Sequence, residues 1–156
     1  MNFHSKMNRM NEEKSVGGIL FRKIGNITKF LILKRTDNGI WDFPKGHTES
    51  NEEELATLNR EMKEELGLTQ FKMIPGFKET IFYVSSHSGN KRTWHLYLIY
   101  TDEEPTLSSE HTEMKWISLD DVKDYFKYDD IERILKRALE AIDEKNISHH
   151  TRSERK

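Results

Sequence analysis

The stretch REMKEELG, residues 60–67, sets Glu61, Glu64 and Glu65 three and four positions apart. On a helix advancing about 100° per residue their carboxylates fall within roughly 100° of one another, on one face. Like charges at that spacing cost about 0.2–0.5 kcal/mol per pair. Glu64 and Glu65 also precede Gly67, a helix stop, where the helix dipole disfavours carboxylates by roughly 0.3–1 kcal/mol each. A cluster that opposes its own helix calls for a compensating cation. All-oxygen donors suit hard divalent ions, Mg²⁺ above all, with Mn²⁺ as a substitute. Three carboxylates exceed the charge of one such ion, which leaves room for a second delivered with an anionic substrate, and phosphates are the natural anions. The alternative is a solvated acidic face whose charge is offset by Arg60 and Lys63.

The elements that must position this face can be read around it. Leu55, Leu58, Met62 and Leu66 recur at helical spacing, so a helix is predicted from about Asn51 to Leu66, capped by Ser50 or Asn51 with Glu53 or Glu54 completing a capping box. The carboxylates lie beside that apolar stripe, at the border of buried surface, where a lower effective dielectric strengthens both their repulsion and their attraction for a cation. Ahead of the helix, VGGILF and KFLILKR read as strands joined by a turn at Gly25 and Asn26, and TDNGIWDFPKGH as a turn, a brief extended piece and a loop. After it, FKMIPGFKETIFYVSS and RTWHLYLIYT read as a hairpin around HSGNK, and EMKWISL as a last strand. Ser118 and Asp121 resemble a capping box that starts the helical DDVKDYF, and DDIERILKRALEAI is a clear amphipathic helix. The order is that of a mixed β-sheet covered by helices, an α/β (α+β) domain over residues 14–144 between polar tails at 1–13 and 145–156.

Composition narrows the function classes. A net charge of −2 with both signs interspersed lacks the basic footprint of non-specific nucleic-acid binding, so an anionic ligand must be held by a local site. With no cysteine, disulfide and thiolate chemistry are excluded and a reducing, cytoplasmic setting is expected. No run approaches the length of a membrane span, and neither a signal peptide nor an appended DNA-binding domain is expected.

From Gly46, the residues GHTESNEEELATLNREMKEELGL fit the pattern G, five residues, E, seven residues, R-E-apolar-any-E-E-any-G-apolar without gap or substitution. This resembles the Nudix box, and the likeness extends through SVGGILFRK, WDFPKGH and EHTEMKWISLDDV. The resemblance implies an α/β/α sandwich with a mixed sheet and metal-dependent hydrolysis of a nucleoside diphosphate linked to another group. It implies that Glu61, Glu64 and Glu65 bind metal, that the Gly46 carbonyl joins them, and that Arg60 and Glu52 orient the box. WDFPKGH is similar to the asymmetrical diadenosine tetraphosphate hydrolases, which yield ATP and AMP. By that likeness Lys45 faces the polyphosphate, Glu110 outside the box is a metal ligand or base, and Arg92 or Lys91 reads the phosphate chain. Adenine needs a flat apolar face to stack on, for which Tyr83, Tyr97 and Tyr128 are available. Glu64 and Glu110 are both candidates for the general base. Ile40 and Leu96 depart from the animal-type pattern, which has a His and a Tyr there. Other substrates of the same chemistry are (d)NTPs, 5′-triphosphorylated RNA and diphosphoinositol phosphates; a nucleotide-sensing module without turnover is the non-enzymatic alternative.

Overall fold

The structure, a computed structural model, describes residues 12–84, 89–127 and 129–145. In chain order the elements are β1 (Glu12–Ile24), β2 (Ile27–Arg35), β3 (Trp41–Asp42), β4 (Lys45–His47), α1 (Glu54–Leu66), β5 (Lys72–Val84), β6 (Lys91–Tyr100), β7 (His111–Ile117), a 3₁₀ helix (Leu119–Asp124) and α2 (Asp129–Lys145). Glu12 and Glu13 belong to β1 and Lys145 to α2, and the other residues of the tails expected at 1–13 and 145–156 lie outside the described ones.

β1 is the shared strand. Its C-terminal part pairs antiparallel with β2 across a two-residue turn, Ile24 opposite Ile27, with Gly25 at φ 66° as such tight hairpins require. Its N-terminal part pairs parallel with β6, Val16 opposite His95, and antiparallel with β4, Val16 opposite Gly46. The main path runs β3-β2-β1-β6-β5, with β7 paired to β2. The β5–β6 hairpin forms as expected, interrupted by a register shift between Met73 and Lys78, where Pro75 cannot donate to the ladder.

The alternation of each strand builds two cores. Ile19, Phe21, Phe30, Ile32, Leu96 and Leu98 face one side, where they are covered by Val122 of the 3₁₀ helix and by Ile131, Ile134, Leu135, Ala138 and Ile142 of α2. Val16, Leu20, Leu31, Leu33 and Ile99 face the other, covered by Leu58, Met62 and Leu66 of α1. Helices on both faces of a mixed sheet make the sandwich that the sequence predicts. Gly18 lets α1 approach: a Cβ there would lie 3.1 Å from the Met62 sulfur and 2.7 Å from Ile99 Cδ1.

α1 differs from expectation at its start. It begins at Glu54, three residues late, with extended Glu53 as N-cap and no capping side chain. Neither Ser50 nor Asn51 caps it: Asn51 sits at φ 64° in a preceding turn, in which the Glu49 N–H donates to Glu52 Oε1 at 3.0 Å. The first turn is instead anchored by Glu54, which accepts from Tyr97 Oη (2.7 Å), Lys78 Nζ (2.8 Å) and Lys14 Nζ (2.9 Å). Burial pushes the Glu54 carboxyl up, yet these donors outweigh it and bring it down to about 2. Leu55 is exposed rather than part of the apolar stripe; in the first turn it is Glu54 and Thr57 that turn inward. The C-terminus ends as predicted at Gly67, φ 68°, whose N–H donates to Lys63 O while the Leu68 N–H donates to Met62 O. Ser118 does not cap a backbone N–H either; its hydroxyl donates to Asp121 Oδ2 at 3.2 Å, and the helix there is 3₁₀.

Candidate active site

β4 lies across the N-terminal half of β1 and delivers Gly46 against α1. A Cβ on Gly46 would overlap the Glu61 carboxylate, so the glycine is required by the close approach of that loop to the acidic face. Glu61 and Glu65, one turn apart, are 8% and 5% exposed. Glu64, between them in sequence, keeps 58% of its side chain exposed. The three carboxylates are therefore unequal: two are buried beside the sheet and one stands at the rim.

Arg60 organises this end of the helix. Its Nε and Nη2 donate to Glu52 at 2.9 and 3.0 Å, its Nη1 to Glu61 Oε2 at 2.7 Å, and its Nη2 also to the His47 carbonyl at 2.8 Å. Glu64 Oε2 is 3.4 Å from Nη1. Hydrogen bonds from Arg60, with the Glu49 N–H and the Thr57 hydroxyl, hold Glu52 down at about 2, and pairing with Glu52 raises Arg60 further above its ordinary range. Arg60 thus touches Glu52, Glu61 and the His47 carbonyl at once. Glu52 precedes the helix, and through Arg60 it braces the Glu61 carboxylate.

Burial raises the Glu61 carboxyl, against the pull of Arg60. Glu65 is pushed up to about 7 by burial, then by the charges of Glu110 and Glu61. Glu110, exposed at the start of β7, thus comes close enough to act on both. Its neighbour His111, featureless in the sequence, is buried with Nδ1 3.5 Å from Glu65 Oε2 and without a hydrogen-bond partner. Burial, then Arg35, holds His111 below its ordinary value, and a neutral imidazole does not neutralise Glu65.

Among the described residues no three His, Asp or Glu side chains are arranged as a closed metal-ligand set. Glu61 is turned onto Arg60, and Glu64 reaches toward the same guanidinium. The residues nevertheless fit a hard divalent cation. Two carboxylates are buried one turn apart, Glu61 faces a stretch of backbone that admits no side chain, both are pushed toward protonation by their surroundings, and every donor is oxygen. Such a pair is costly to keep ionised without a cation.

Lys45 is not a solvated loop lysine. Its Nζ donates to Asp42 Oδ2 at 2.6 Å and lies 4.2 Å from the centre of the Trp94 ring. Neither Asp42 nor Trp94 stood out in the sequence, although Asp42 and Lys45 at i and i+3 around a proline could have signalled a local pair. Arg92 shares the face of β6 with Trp94, two residues along, and its Nε is 3.1 Å from Glu13 Oε2 without hydrogen-bond alignment. Lys91 falls on the opposite face and is not brought together with Lys45, because strand neighbours alternate. Tyr83 is the register partner of Arg92 on β5, but its side chain lies outside the described residues, as does Tyr128.

The NUDIX domain family model matches residues 12–139. Among curated proteins, the bis(5′-nucleosyl)-tetraphosphatase [asymmetrical] of Sus scrofa is 32% identical over 132 residues, spanning 78% of this chain and 90% of that one. The RNA pyrophosphohydrolase of Wolbachia pipientis subsp. Culex pipiens is 30% identical over 135 residues, 72% of this chain and 81% of that one. Among solved structures, the C. elegans Ap4A hydrolase binary complex superposes with a TM-score of 0.74 at 29% identity, covering 83% of this chain and 96% of that one. With the box complete in sequence and its arginine, glycine and buried glutamates assembled on one helix face, the chain belongs to the Nudix family and is a pyrophosphohydrolase.

Proposed function

We propose that the chain hydrolyses dinucleoside polyphosphates with Mg²⁺, taking diadenosine tetraphosphate to ATP and AMP, and that Mn²⁺ can substitute. The observation that carries the metal reading is the buried Glu61 and Glu65 pair, one turn apart on α1, with Glu61 pressed against Gly46. Likeness to asymmetrical tetraphosphatases over most of both chains supports the substrate. Glu61, Glu65 and the Gly46 backbone would hold the ion, with Glu64 and Glu110 at its open side. A divalent ion bound there would neutralise pyrophosphate charge and make a bound water more acidic.

The chain's own residues supply position and field. Arg60 fixes the Glu61 carboxylate, so little reorganisation is left when substrate arrives. Glu64 and Glu110, both exposed, are free to accept the proton of the attacking water; either serves as the general base. Lys45 and Arg92, on the same side of the sheet, offset charge along the polyphosphate, and Tyr83 or Tyr128 offers an aromatic face for a base. Lys91 is left out of this assignment. A cytoplasmic location belongs to the same reading.

Incubation with diadenosine tetraphosphate and Mg²⁺, with products separated, is expected to yield ATP plus AMP in equal amounts. Two ADP, or unchanged substrate, would refute the assignment. Likeness to RNA pyrophosphohydrolases favours one second reading, and 5′-triphosphorylated RNA in the same panel decides it by release of pyrophosphate.

A further inference from the structure

Lys45 combines three features whose joint consequence reaches beyond binding phosphate. Its flexible four-carbon stem ends 2.6 Å from Asp42 Oδ2, its ammonium sits over the Trp94 ring at 4.2 Å, and its side chain is only 13% exposed. Asp42 is itself immobilised, because its other oxygen, Oδ1, accepts the Phe43 N–H at 2.8 Å and its side chain is 12% exposed. Lys45 lies near enough to lower the Glu65 carboxyl by its charge. A lysine released from Asp42 would be drawn by charge toward Glu65 and would offset the negative face that must receive a cation.

We propose that Asp42 and Trp94 are positioning residues that hold the Lys45 ammonium off Glu65, keeping the acidic face open to a divalent cation while presenting Lys45 to the polyphosphate. The juxtaposition carries the inference. The carboxylate takes one of the three ammonium donors, the indole covers one side, and donors remain for a phosphate oxygen. Asp42 stands at the end of β3, and Trp94 stands in β6 opposite Ser15, next to Gly17, where β4 crosses. A Cβ on Gly17 would lie 2.5 Å from Lys45 Cβ, so β1 also narrows the space in which the lysine can swing.

This inference rests on the metal-binding reading above, and a double-mutant cycle separates the two. Mn²⁺ binding is measured calorimetrically without nucleotide on the wild type, Asp42→Asn, Lys45→Met and the double variant. With Lys45 in place, Asp42→Asn is expected to weaken Mn²⁺ binding about fivefold or more, as the released ammonium moves onto Glu65. In the Lys45→Met background the same change is expected to alter it less than about twofold, since no cation is left to restrain. Trp94→Leu should behave like Asp42→Asn in the same cycle, with Trp94→Phe retaining most of the wild-type affinity, and circular dichroism checks that each variant is folded. For the hydrolysis itself, Asp42→Asn should raise KM for the polyphosphate more than it lowers kcat at saturating metal. Equal weakening in both backgrounds, or none in either, would overturn the positioning role while leaving the metal site intact. A wild type that binds no Mn²⁺ would overturn the metal reading and this inference with it.

Discussion

Replacing Glu65 by Gln should stabilise the metal-free protein, and the size of the gain can be worked from the site. Glu65 is 5% exposed and its carboxyl is held at about 7 against an ordinary 4.5, by burial first and then by Glu110 and Glu61. That displacement disfavours the ionised form by about 3 kcal/mol at roughly 1.4 kcal/mol per tenfold change. Water on the exposed Glu110 side, together with Arg35 and Lys45, screens the charge, so ~1–2 kcal/mol is the expected gain at pH 8. In a domain of this length it corresponds to a rise in Tm of about 2–8 °C. The sign follows from proton binding. Below about 4.5 the carboxyl is protonated in both folded and unfolded chains and contributes nothing. Between 4.5 and 7 the unfolded chain ionises first, so wild-type stability falls through that window and stays reduced above it. The Gln variant, which does not titrate, should therefore match the wild type near pH 4.5 and exceed it at pH 8. Thermal melts with EDTA across pH 4.5–8 measure this. With saturating Mg²⁺ the order should reverse, because ligand binding stabilises only the chain that holds the ion. A Gln variant less stable than wild type at pH 8 in EDTA, or an equal gain from Mg²⁺ in both, would refute the reasoning.

Other perturbations address other parts of the account. Gly46→Ala drives a methyl group into the Glu61 carboxylate and should abolish most turnover at a stability cost of about 1–3 kcal/mol, read from steady-state kinetics and urea denaturation. Arg60→Met frees Glu61 and Glu52 together and should lower metal affinity or kcat by about 10–100-fold, as loss of a ligand-orienting partner does; an unchanged kcat and metal affinity would remove Arg60 from the site. Glu64→Gln, at an exposed position, should leave the melting curve within about 0.5 kcal/mol of wild type while reducing kcat, which isolates a chemical role from a structural one. Gly67→Ala places a side chain at φ 68° and against the Thr106 hydroxyl, so the folded state should lose about 1 kcal/mol or more with the acidic face intact.

The parts of the molecule written in the sequence are those where one local rule dominates. Strand alternation foretold the two faces of β1 and β2, the Gly25–Asn26 turn set the hairpin, and Gly67 ended α1 where its left-handed conformation requires. At the start of α1 the capping preference of Ser50 and Asn51 competes with a tertiary demand: Glu52 is committed to Arg60, eight residues away, and Asn51 sits in a turn ahead of the helix. Periodicity places Leu55 in the core, but the first turn of α1 turns Glu54 and Thr57 inward instead, on polar contacts that an apolar pattern does not register. In the site, Glu61, Glu65, Gly46 and Arg60 followed from spacing and resemblance. The inequality of the three glutamates did not, since it depends on which of them the β4 loop and β7 cover. His111 and Trp94 carry no sequence signal of their own. They enter through β7 and β6, brought to the helix and to Lys45 by pairings distant along the chain. Lys91 and Arg92 are neighbours in sequence yet on opposite sides of β6, a distinction available from strand parity once the register of Trp94 is known.

The most direct measurement is anomalous diffraction from crystals soaked in Mn²⁺ with a non-hydrolysable dinucleoside tetraphosphate. The account predicts manganese beside the Glu61 and Glu65 carboxylates of α1, in contact with the phosphate chain. Manganese bound elsewhere, with those two carboxylates bare, would contradict it.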